Sequence, residues 1–487
     1  MQRIETRLVR TWTLMIALTA AGLALPGPSW ATQEEPAATA AANPQALATP
    51  THHQTGLVKA NVEGLPNREL KCFSLTPDDR IVAGCAGGAG ELRVFDTAGE
   101  FVESWSVPFE PEAIFVRADG KIFLAGEGQL ARLSSTGKVE RKEPAPHAAS
   151  MGENVEKIRA DVVTQHKQQA EMFADQAQQF DKLIERTMNE VDALKQQIAD
   201  LGEAGEAAKK QRLEQQLATQ EQMKQQYDEA KKQWDEMIAR QKPKDLTEEE
   251  IDELVKQSIQ YKQQASSISA TEDEVFLATH ATVGYGFDVW KMDGDFAGGE
   301  TIITGLSGCC GQMDVKASDD GLFVAENSKH RVCRYDRDGK MICNWGHGAR
   351  SGIEGFGSCC NPMNVAFGPE GVVYTAEDNT GRIKRYSPDG KLLGLVGSVE
   401  LVPGCKNCSI AVSSDGTRVY MLDITRGHIV RMEPYKPGEA PAPAAVEEEP
   451  AAEAALEQSA FYDVEVAEPD VGGAVAKGVL KVLGFGD

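Results

Sequence analysis

The fold is decided by two copies of one pattern: MDVKASDDGLFVAENSKHRVCRYDRDGKMICNWG (313–346) and MNVAFGPEGVVYTAEDNTGRIKRYSPDGKLLGLVG (363–397). Each copy holds a short strand, a polar turn and then an apolar strand such as Leu322-Phe323-Val324. A third strand that begins with Arg follows, and a turn ending in Gly leads to a fourth strand. Asp338-Gly339 and Asp389-Gly390 supply the positive φ that tight turns between antiparallel strands require. The pattern predicts four short antiparallel strands per copy.

Weaker copies of the pattern begin near Leu70, Glu112, Ser266 and Cys408. The glycines at the equivalent turns are Gly99, Gly137, Gly294, Gly339 and Gly390, at spacings of 38, 157, 45 and 51 residues. The longest spacing is one repeat plus an insertion of roughly 117 residues. Repeats of about 40–50 residues with four strands are typical of propeller blades, so the chain is predicted to be mainly β, a six-bladed β-propeller.

The segments DDGLFVAENSKHRVCRYDRDGK and PEGVVYTAEDNTGRIKRYSPDGK resemble NHL repeats, which build six-bladed propellers. The resemblance covers about 260 residues and implies blades 1 and 2 at 57–147 and blades 3 to 6 at 266–435. The segment LVKANVEGL (57–65) is expected to add the outer strand of the last blade. Such a strand would close the ring and leave no open sheet edge.

The insertion at 148–265 has a different composition, with no Cys and the single proline Pro243. Apolar residues alternate by four and three from Phe173 to Leu201, which is the seam of a coiled coil. A second helical run follows the glycines at 202 and 205, so we expect an antiparallel coiled-coil hairpin. Thr247 and Glu250 form a predicted capping box for a last helix. The hairpin is interpreted either as an inert spacer or as an arm for a protein partner or self-association.

Residues 1–31 have the features of an export signal, with Arg3, Arg7 and Arg10 before an apolar run. We therefore expect a periplasmic or secreted protein, with no transmembrane span after cleavage of the signal. Residues 32–56 and 436–458 are predicted linkers rich in Ala and Pro, and 459–487 is a predicted tail with a short helix. The formal net charge of −24 argues against nucleic acid as a partner, because phosphate contacts require clustered Lys and Arg.

Eight of the ten cysteines fall at related positions in four blades. They are Cys72, Cys85, Cys309, Cys310, Cys359, Cys360, Cys405 and Cys408. Three interpretations stay open for this set. It forms structural disulfides, or it binds Zn or an Fe–S cluster through thiolates, or it undergoes redox chemistry. Cys333 and Cys343 face each other across a predicted hairpin and are the best candidates for a disulfide.

A second candidate site consists of polar residues at repeated positions near the propeller axis. Its members are Glu326, Glu377, Asp423, Asp314 and Asn364. Converging carboxylates and amides bind Ca²⁺, and six-bladed relatives include lactonase-type hydrolases with such a site. The sequence contains no recognisable nucleophile or zinc-protease motif, so catalytic residues are not assigned. Enzyme activity stays undecided, and a non-enzymatic role is favoured.

These observations favour an exported NHL-type propeller that acts as a binding or assembly module and holds a metal or Fe–S centre at a cysteine-lined channel mouth. One alternative is a lactonase-like hydrolase that depends on a divalent metal. Another is a scaffold that is held together by disulfides, has no cofactor and works through its coiled-coil arm.

Overall fold

The computed structural model describes residues 47–201, 207–241, 246–349, 351–358, 360–402, 408–436 and 438–439. The predicted signal at 1–31, the predicted tail at 459–487 and most of both predicted linkers lie outside these residues. Cys359 and Cys405 also lie outside them.

The described residues form six four-stranded sheets with antiparallel neighbours. The first strand of the chain is β1 (His52–Lys59). Blade 1 contains β2 (Glu69–Leu75), β3 (Ile81–Ala86), β4 (Glu91–Phe95) and β5 (Phe101–Ser106). Blade 2 contains β6 (Ala113–Val116), β7 (Ile122–Gly126), β8 (Gln129–Leu133) and β9 (Val139–Pro144).

The remaining strands follow the helical insertion. Blade 3 contains β10 (Ala265–Ala270), β11 (Glu274–His280), β12 (Phe287–Asp293) and β13 (Glu300–Leu306). Blade 4 contains β14 (Asp314–Ser318), β15 (Gly321–Glu326), β16 (Arg331–Tyr335) and β17 (Met341–Trp345). Blade 5 contains β18 (Asn364–Phe367), β19 (Val373–Ala376), β20 (Arg382–Tyr386) and β21 (Leu392–Ser398). Blade 6 contains β22 (Ile410–Val412), β23 (Val419–Asp423) and β24 (His428–Pro434), with β1 as its fourth strand.

The first strands of the blades contact one another in a closed cycle, from β2 through β6, β10, β14, β18 and β22 back to β2. Six four-stranded sheets in this arrangement fit a six-bladed propeller, as the repeats predicted. Residues that immediately precede these strands are therefore close to one another even when about 50 positions separate them in sequence.

Strand β1 completes blade 6 by pairing antiparallel with β24, from His52 opposite Pro434 to Lys59 opposite His428. The prediction that an N-terminal strand closes the ring is confirmed, but this strand begins at residue 52 rather than 57. Its first five residues lie in the segment that was predicted to be a linker. The sequence HHQTG shows no apolar alternation, which is why it was not recognised as a strand. Its pairing with β24 is made by backbone hydrogen bonds, which do not require apolar side chains.

The hydrophobic core lies between neighbouring blades. Strand β15 is buried along its whole length, and its successive side chains face opposite neighbours. Val324 packs in the cluster shared by blades 3 and 4, whereas Phe323 packs with residues of blade 5. This double burial explains the short apolar runs that the repeats show at their second strand.

A long helical insertion separates blades 2 and 3. It contains α1 (Pro146–Glu153), α2 (Val155–Leu201), α3 (Ala207–Gln241) and α4 (Glu248–Lys262). The insertion starts two residues earlier than predicted, because Pro146 occupies the first helical position, where its missing N–H costs nothing. The predicted capping box is confirmed, since Thr247 N donates to the Glu250 carboxylate at 2.9 Å and Glu250 N donates to the Thr247 hydroxyl at 3.2 Å.

Residues Arg159–Val255 form a compact unit of their own, distinct from the propeller unit. Within it, the contacts between α2 and α3 run in opposite order along the two helices, so that a later residue of α2 meets an earlier residue of α3. Lys195 pairs with Glu221 at 2.9 Å, while the rings of Phe180 and Trp234 lie 6.0 Å apart. This order of contacts is antiparallel. None of the helices in the described residues is long and apolar enough to span a membrane.

Candidate metal centre

Three cysteine sulfur atoms from two blades form a tight triangle. The Sγ atoms of Cys309 and Cys310 are 3.5 Å apart, those of Cys310 and Cys360 are 3.1 Å apart, and those of Cys360 and Cys309 are 2.9 Å apart. Cys309 and Cys310 immediately precede β14, and Cys360 precedes β18. Cys360 is buried, whereas the other two are partly exposed. Soft thiolate ligands converging in this way bind thiophilic ions such as Zn²⁺ or Cu⁺.

A tight turn presents the first two cysteines. Gln312 N donates to Cys309 O at 3.2 Å, and the two central residues, Cys310 and Gly311, have φ values of 57° and 72°. Two positive φ angles define a type I′ turn, in which Asn, Asp or Gly is normal at both central positions. Cys310 therefore occupies a backbone conformation that is unfavourable for its residue type. Such strain is concentrated at functional sites, which is consistent with a role for the Cys310 side chain.

Buried polar residues at the end of β15 hold this turn in place. The side-chain oxygen of Asn327 accepts a hydrogen bond from Cys309 N at 2.7 Å, and its amide nitrogen donates to Gln312 O at 2.9 Å. The neighbouring carboxylate of Glu326 accepts from Ser307 N at 3.1 Å. Side chains of blade 4 therefore hold the turn in place without a bound ligand.

Blade 5 positions the loop of Cys360 in a related way. The Glu377 carboxylate accepts a hydrogen bond from Gly357 N at 2.9 Å, as Glu326 does from Ser307 N. Asn361 donates to Gly357 O at 2.7 Å and accepts from Asp378 N at 2.9 Å. Since Asn361 adjoins Cys360, these bonds orient the third sulfur atom toward the first two.

The acidic residues predicted as a Ca²⁺ site are engaged by basic side chains of their own blades. Glu326 pairs with Arg331 at 2.6 Å and Lys329 at 2.7 Å, and Glu377 pairs with Arg382 at 2.7 Å. Each carboxylate is therefore neutralised within its own blade. Burial alone would raise the pKa of Glu326, but hydrogen bonds from Lys329, Ser307 and Arg331 hold that pKa below its ordinary value.

The other members of the acidic set are also engaged locally. Asp423 pairs with Arg426 at 3.2 Å, and Asp314 accepts from Val365 N at 2.8 Å. Asn364 accepts a hydrogen bond from the Cys408 thiol at 3.0 Å. Among the described residues, the only group of Cys, His, Asp and Glu ligand atoms within reach of one ion is the cysteine triangle.

Three of the predicted cysteine ligands lie apart from the triangle. Cys72 and Cys85 pack in the cores on either side of blade 1, where their thiols point to the carbonyls of Pro111 and Ala83. Burial raises the pKa of Cys85 to about 11, and it also raises the pKa of Cys72. These thiols are protonated at neutral pH and act as small apolar side chains.

Cys408 lies in the same hydrophobic cluster as Cys360, but its thiol is directed to Asn364. Burial raises its pKa well above the ordinary value. Its backbone is held by Gln312, whose side chain donates to Cys408 O at 2.8 Å and accepts from Cys408 N at 3.1 Å. Gln312 thereby joins the cysteine turn of blade 4 to blade 6.

Cys333 and Cys343 do not form the predicted disulfide. In the ladder between β16 and β17, Cys333 lies opposite Asn344, and Cys343 lies opposite Arg334. Because neighbouring residues of a strand point to opposite faces, the two cysteines lie on different faces of the blade. Cys333 is buried beside Glu326, whereas Cys343 is partly exposed on the outer strand.

Sequence reasoning missed the polar residues that position the site, namely Asn327, Asn361 and Gln312. Asn327 follows Glu326 just as Asp378 follows Glu377, so the repeat alignment contained a signal for that position. Tyr261 was also missed. It lies in the last turn of α4, and the centroids of its ring and the His280 ring are 4.3 Å apart.

No protein-family model and no curated protein matches the sequence. Similar solved structures include a streptogramin B lyase, with 8% identity, a TM-score of 0.39 and coverage of 81% of this chain and 100% of that chain. A structural genomics protein of unknown function from Bacteroides thetaiotaomicron has 8% identity and a TM-score of 0.41, over 78% of this chain and 73% of that chain. The WD40 β-propeller domain of Doa1 has 6% identity and a TM-score of 0.36, over 78% and 98%.

The fold assignment rests on the six sheets and their closure rather than on these likenesses. The fold and the site together define a β-propeller with a long helical insertion and a cluster of three cysteines beside its inner strands.

Proposed function

We propose that this protein is a propeller-based binding module whose cysteine triangle binds a metal ion. The observation that carries the proposal is the convergence of Cys309, Cys310 and Cys360, with all three sulfur–sulfur distances at or below 3.5 Å. Two hydrogen bonds support it: Asn327 accepts one from Cys309 N, and Asn361 donates one to Gly357 O. Metal sites depend on neighbouring groups that orient the ligands in this way.

Metal content and thiol state test this proposal together. The full chain is purified without oxygen, analysed for bound elements and titrated with Zn²⁺ in competition with a chromogenic chelator. We expect tight binding that Cys309→Ser abolishes. Cys343→Ser is the matched control, since this cysteine is partly exposed and lies outside the triangle. A disulfide between any two cysteines of the triangle in the purified protein, found by peptide mapping, would refute metal binding.

The helical insertion suits a second activity, the binding of a protein partner or of another copy of the chain. The antiparallel contacts of α2 with α3 favour a coiled-coil hairpin, and Lys231 bridges to Asp181 at 3.4 Å in addition to the contacts above. Light scattering of the full chain and of a chain lacking 159–255 tests self-association. A larger mass for the full chain than its sequence predicts is expected, and equal association of both forms would contradict an assembly role.

The proposal also includes export of the protein from the cytoplasm. An NHL-type propeller that is secreted, or released into a periplasm, after removal of residues 1–31 would meet extracellular metal and partners directly. N-terminal sequencing of the protein from its native cells tests this, with Thr32 expected as the first residue. A chain that keeps its first 31 residues and stays with the cytoplasmic fraction would contradict it.

A further inference from the structure

We infer that the cysteine triangle takes a single thiophilic ion of the zinc class, and that this ion joins blade 4 to blade 5. The inference rests on the proposed metal-binding function and adds to it the number of metal atoms, their chemical class and their effect on the fold. Three independent features of the site lead to it.

The first feature is the size of the triangle. Cysteines that bind different irons of an Fe–S cluster lie further apart than cysteines that share one ion, because the cluster lies between them. The three distances in this protein are 2.9, 3.1 and 3.5 Å. A tetrahedral zinc ion with Zn–S bonds of about 2.3 Å places its sulfur ligands about 3.8 Å apart. The triangle reaches that spacing when each edge widens by less than about 1 Å, whereas a cluster would require the two loops to separate by several ångströms.

The second feature is the absence of hard ligands in reach. Among the described residues, no carboxylate or imidazole joins the triangle within ligand distance of a common ion. The carboxylates that hold the two loops are occupied, Glu326 by Arg331 and Glu377 by Arg382. Ca²⁺ and Mg²⁺ require oxygen ligands, so the site discriminates against them by chemistry alone.

The third feature is the position of the ligands in the fold. Cys309 and Cys310 belong to the turn before β14, and Cys360 belongs to the loop before β18. The hydrogen bond from Val365 N to the Asp314 carboxylate, at 2.8 Å, already joins these inner strands. An ion bound to all three sulfur atoms would add coordinate bonds across the same joint. Because the ligand set forms only in the folded chain, binding stabilises the folded state.

The test uses the full chain, stripped of metal under reducing conditions and then incubated with Zn²⁺, Co²⁺, or Fe²⁺ plus sulfide. We expect about one Zn²⁺ per chain, an intense sulfur-to-cobalt charge-transfer band with Co²⁺, and a melting temperature that rises by several degrees with excess Zn²⁺. Cys360→Ser should lose the band and the thermal shift, while Cys343→Ser should keep both.

The outcomes separate this inference from the proposed function. An Fe–S spectrum with several irons per chain would overturn the inference that a single ion joins blades 4 and 5. An ion that binds through the triangle without raising the melting temperature would overturn it as well. Both results would leave the proposed metal binding intact. Failure of every metal to bind the reduced wild-type chain overturns both. Co²⁺ binding that survives in Cys309→Ser and Cys360→Ser places the ion elsewhere and also overturns the inference.

Discussion

The sulfur atom of Cys360 lies 2.9 Å from that of Cys309, although the two residues are 51 positions apart and belong to different blades. The contact exists because the propeller places the starts of β14 and β18 side by side. Blade 4 and blade 5 each contribute a loop held by a buried carboxylate and an amide. Equivalent loops of two repeats therefore build the site, which forms where blade 4 meets blade 5.

Asn327 is predicted to control metal affinity without touching the metal. Asn327→Ala removes the acceptor for Cys309 N and the donor to Gln312 O, so the turn loses its support. We expect zinc affinity to fall by about 10–100-fold, as for other residues that orient metal ligands. Chelator competition measures this, and Asn327→Asp should recover part of the affinity because it keeps the acceptor. Asn344→Ala, at an exposed position, should have no effect; equal affinities for all four proteins would contradict the prediction.

Cys310→Gly is predicted to stabilise the metal-free protein and to abolish zinc binding. The residue has a φ of 57°, which costs a non-glycine residue about 1 kcal/mol. The metal-free variant should therefore unfold at a slightly higher urea concentration than metal-free wild type, by about 0.5–1 kcal/mol, while zinc binding is lost. Cys309→Gly, where positive φ is not required, should instead be destabilised. A loss of stability in Cys310→Gly equal to that in Cys309→Gly would argue against strain in this turn.

Glu112 is predicted to make stability depend on pH near neutrality. It lies at the base of the insertion, where its carboxylate accepts a hydrogen bond from Ala265 N at 2.8 Å, and burial raises its pKa to about 7. The folded state then binds more protons than the unfolded state between about pH 4.5 and 7. Stability should fall as pH rises through this window, and Glu112→Gln should remove that part of the pH dependence. Melting temperatures from pH 5 to 8 measure it.

The matched control for this variant is Glu63→Gln, at an exposed position. It should leave the slope of melting temperature against pH unchanged. Wild type and Glu112→Gln with the same slope would show that Glu112 is ionised in the folded protein throughout this range.

Val58 is predicted to hold the closing strand in place. It is buried in the cluster between blades 6 and 1, while its neighbour Leu57 is 46% exposed. Val58→Ala should cost about 2 kcal/mol of unfolding free energy, since it removes buried methyl groups, and Leu57→Ala should cost less than about 0.5 kcal/mol. Urea denaturation of both variants checks the difference. Similar losses would mean that β1 contributes little beyond its backbone hydrogen bonds.

Much of the architecture was predictable because the repeats encode it locally. Asp-Gly turns, apolar second strands and glycine spacing are each visible within one blade, and they identified six blades and the place of the insertion. The predicted disulfide between Cys333 and Cys343 was wrong because of the register of two neighbouring strands. The ladder pairs Cys333 with Asn344, so a shift of one residue turned the two thiols to opposite faces.

The sequence by itself determined the blades, their turns, the helical insertion and the presence of paired cysteines at the starts of inner strands. Only the tertiary structure decided which of these cysteines meet, because Cys72 and Cys408 occupy related places in the pattern, yet Cys72 points into a core and Cys408 points to Asn364. It also decided that Glu326 and Glu377 hold loops, through hydrogen bonds from Ser307 N and Gly357 N. The physical reason is that side-chain direction and charge pairing depend on neighbours brought together by ring closure, which no single repeat contains.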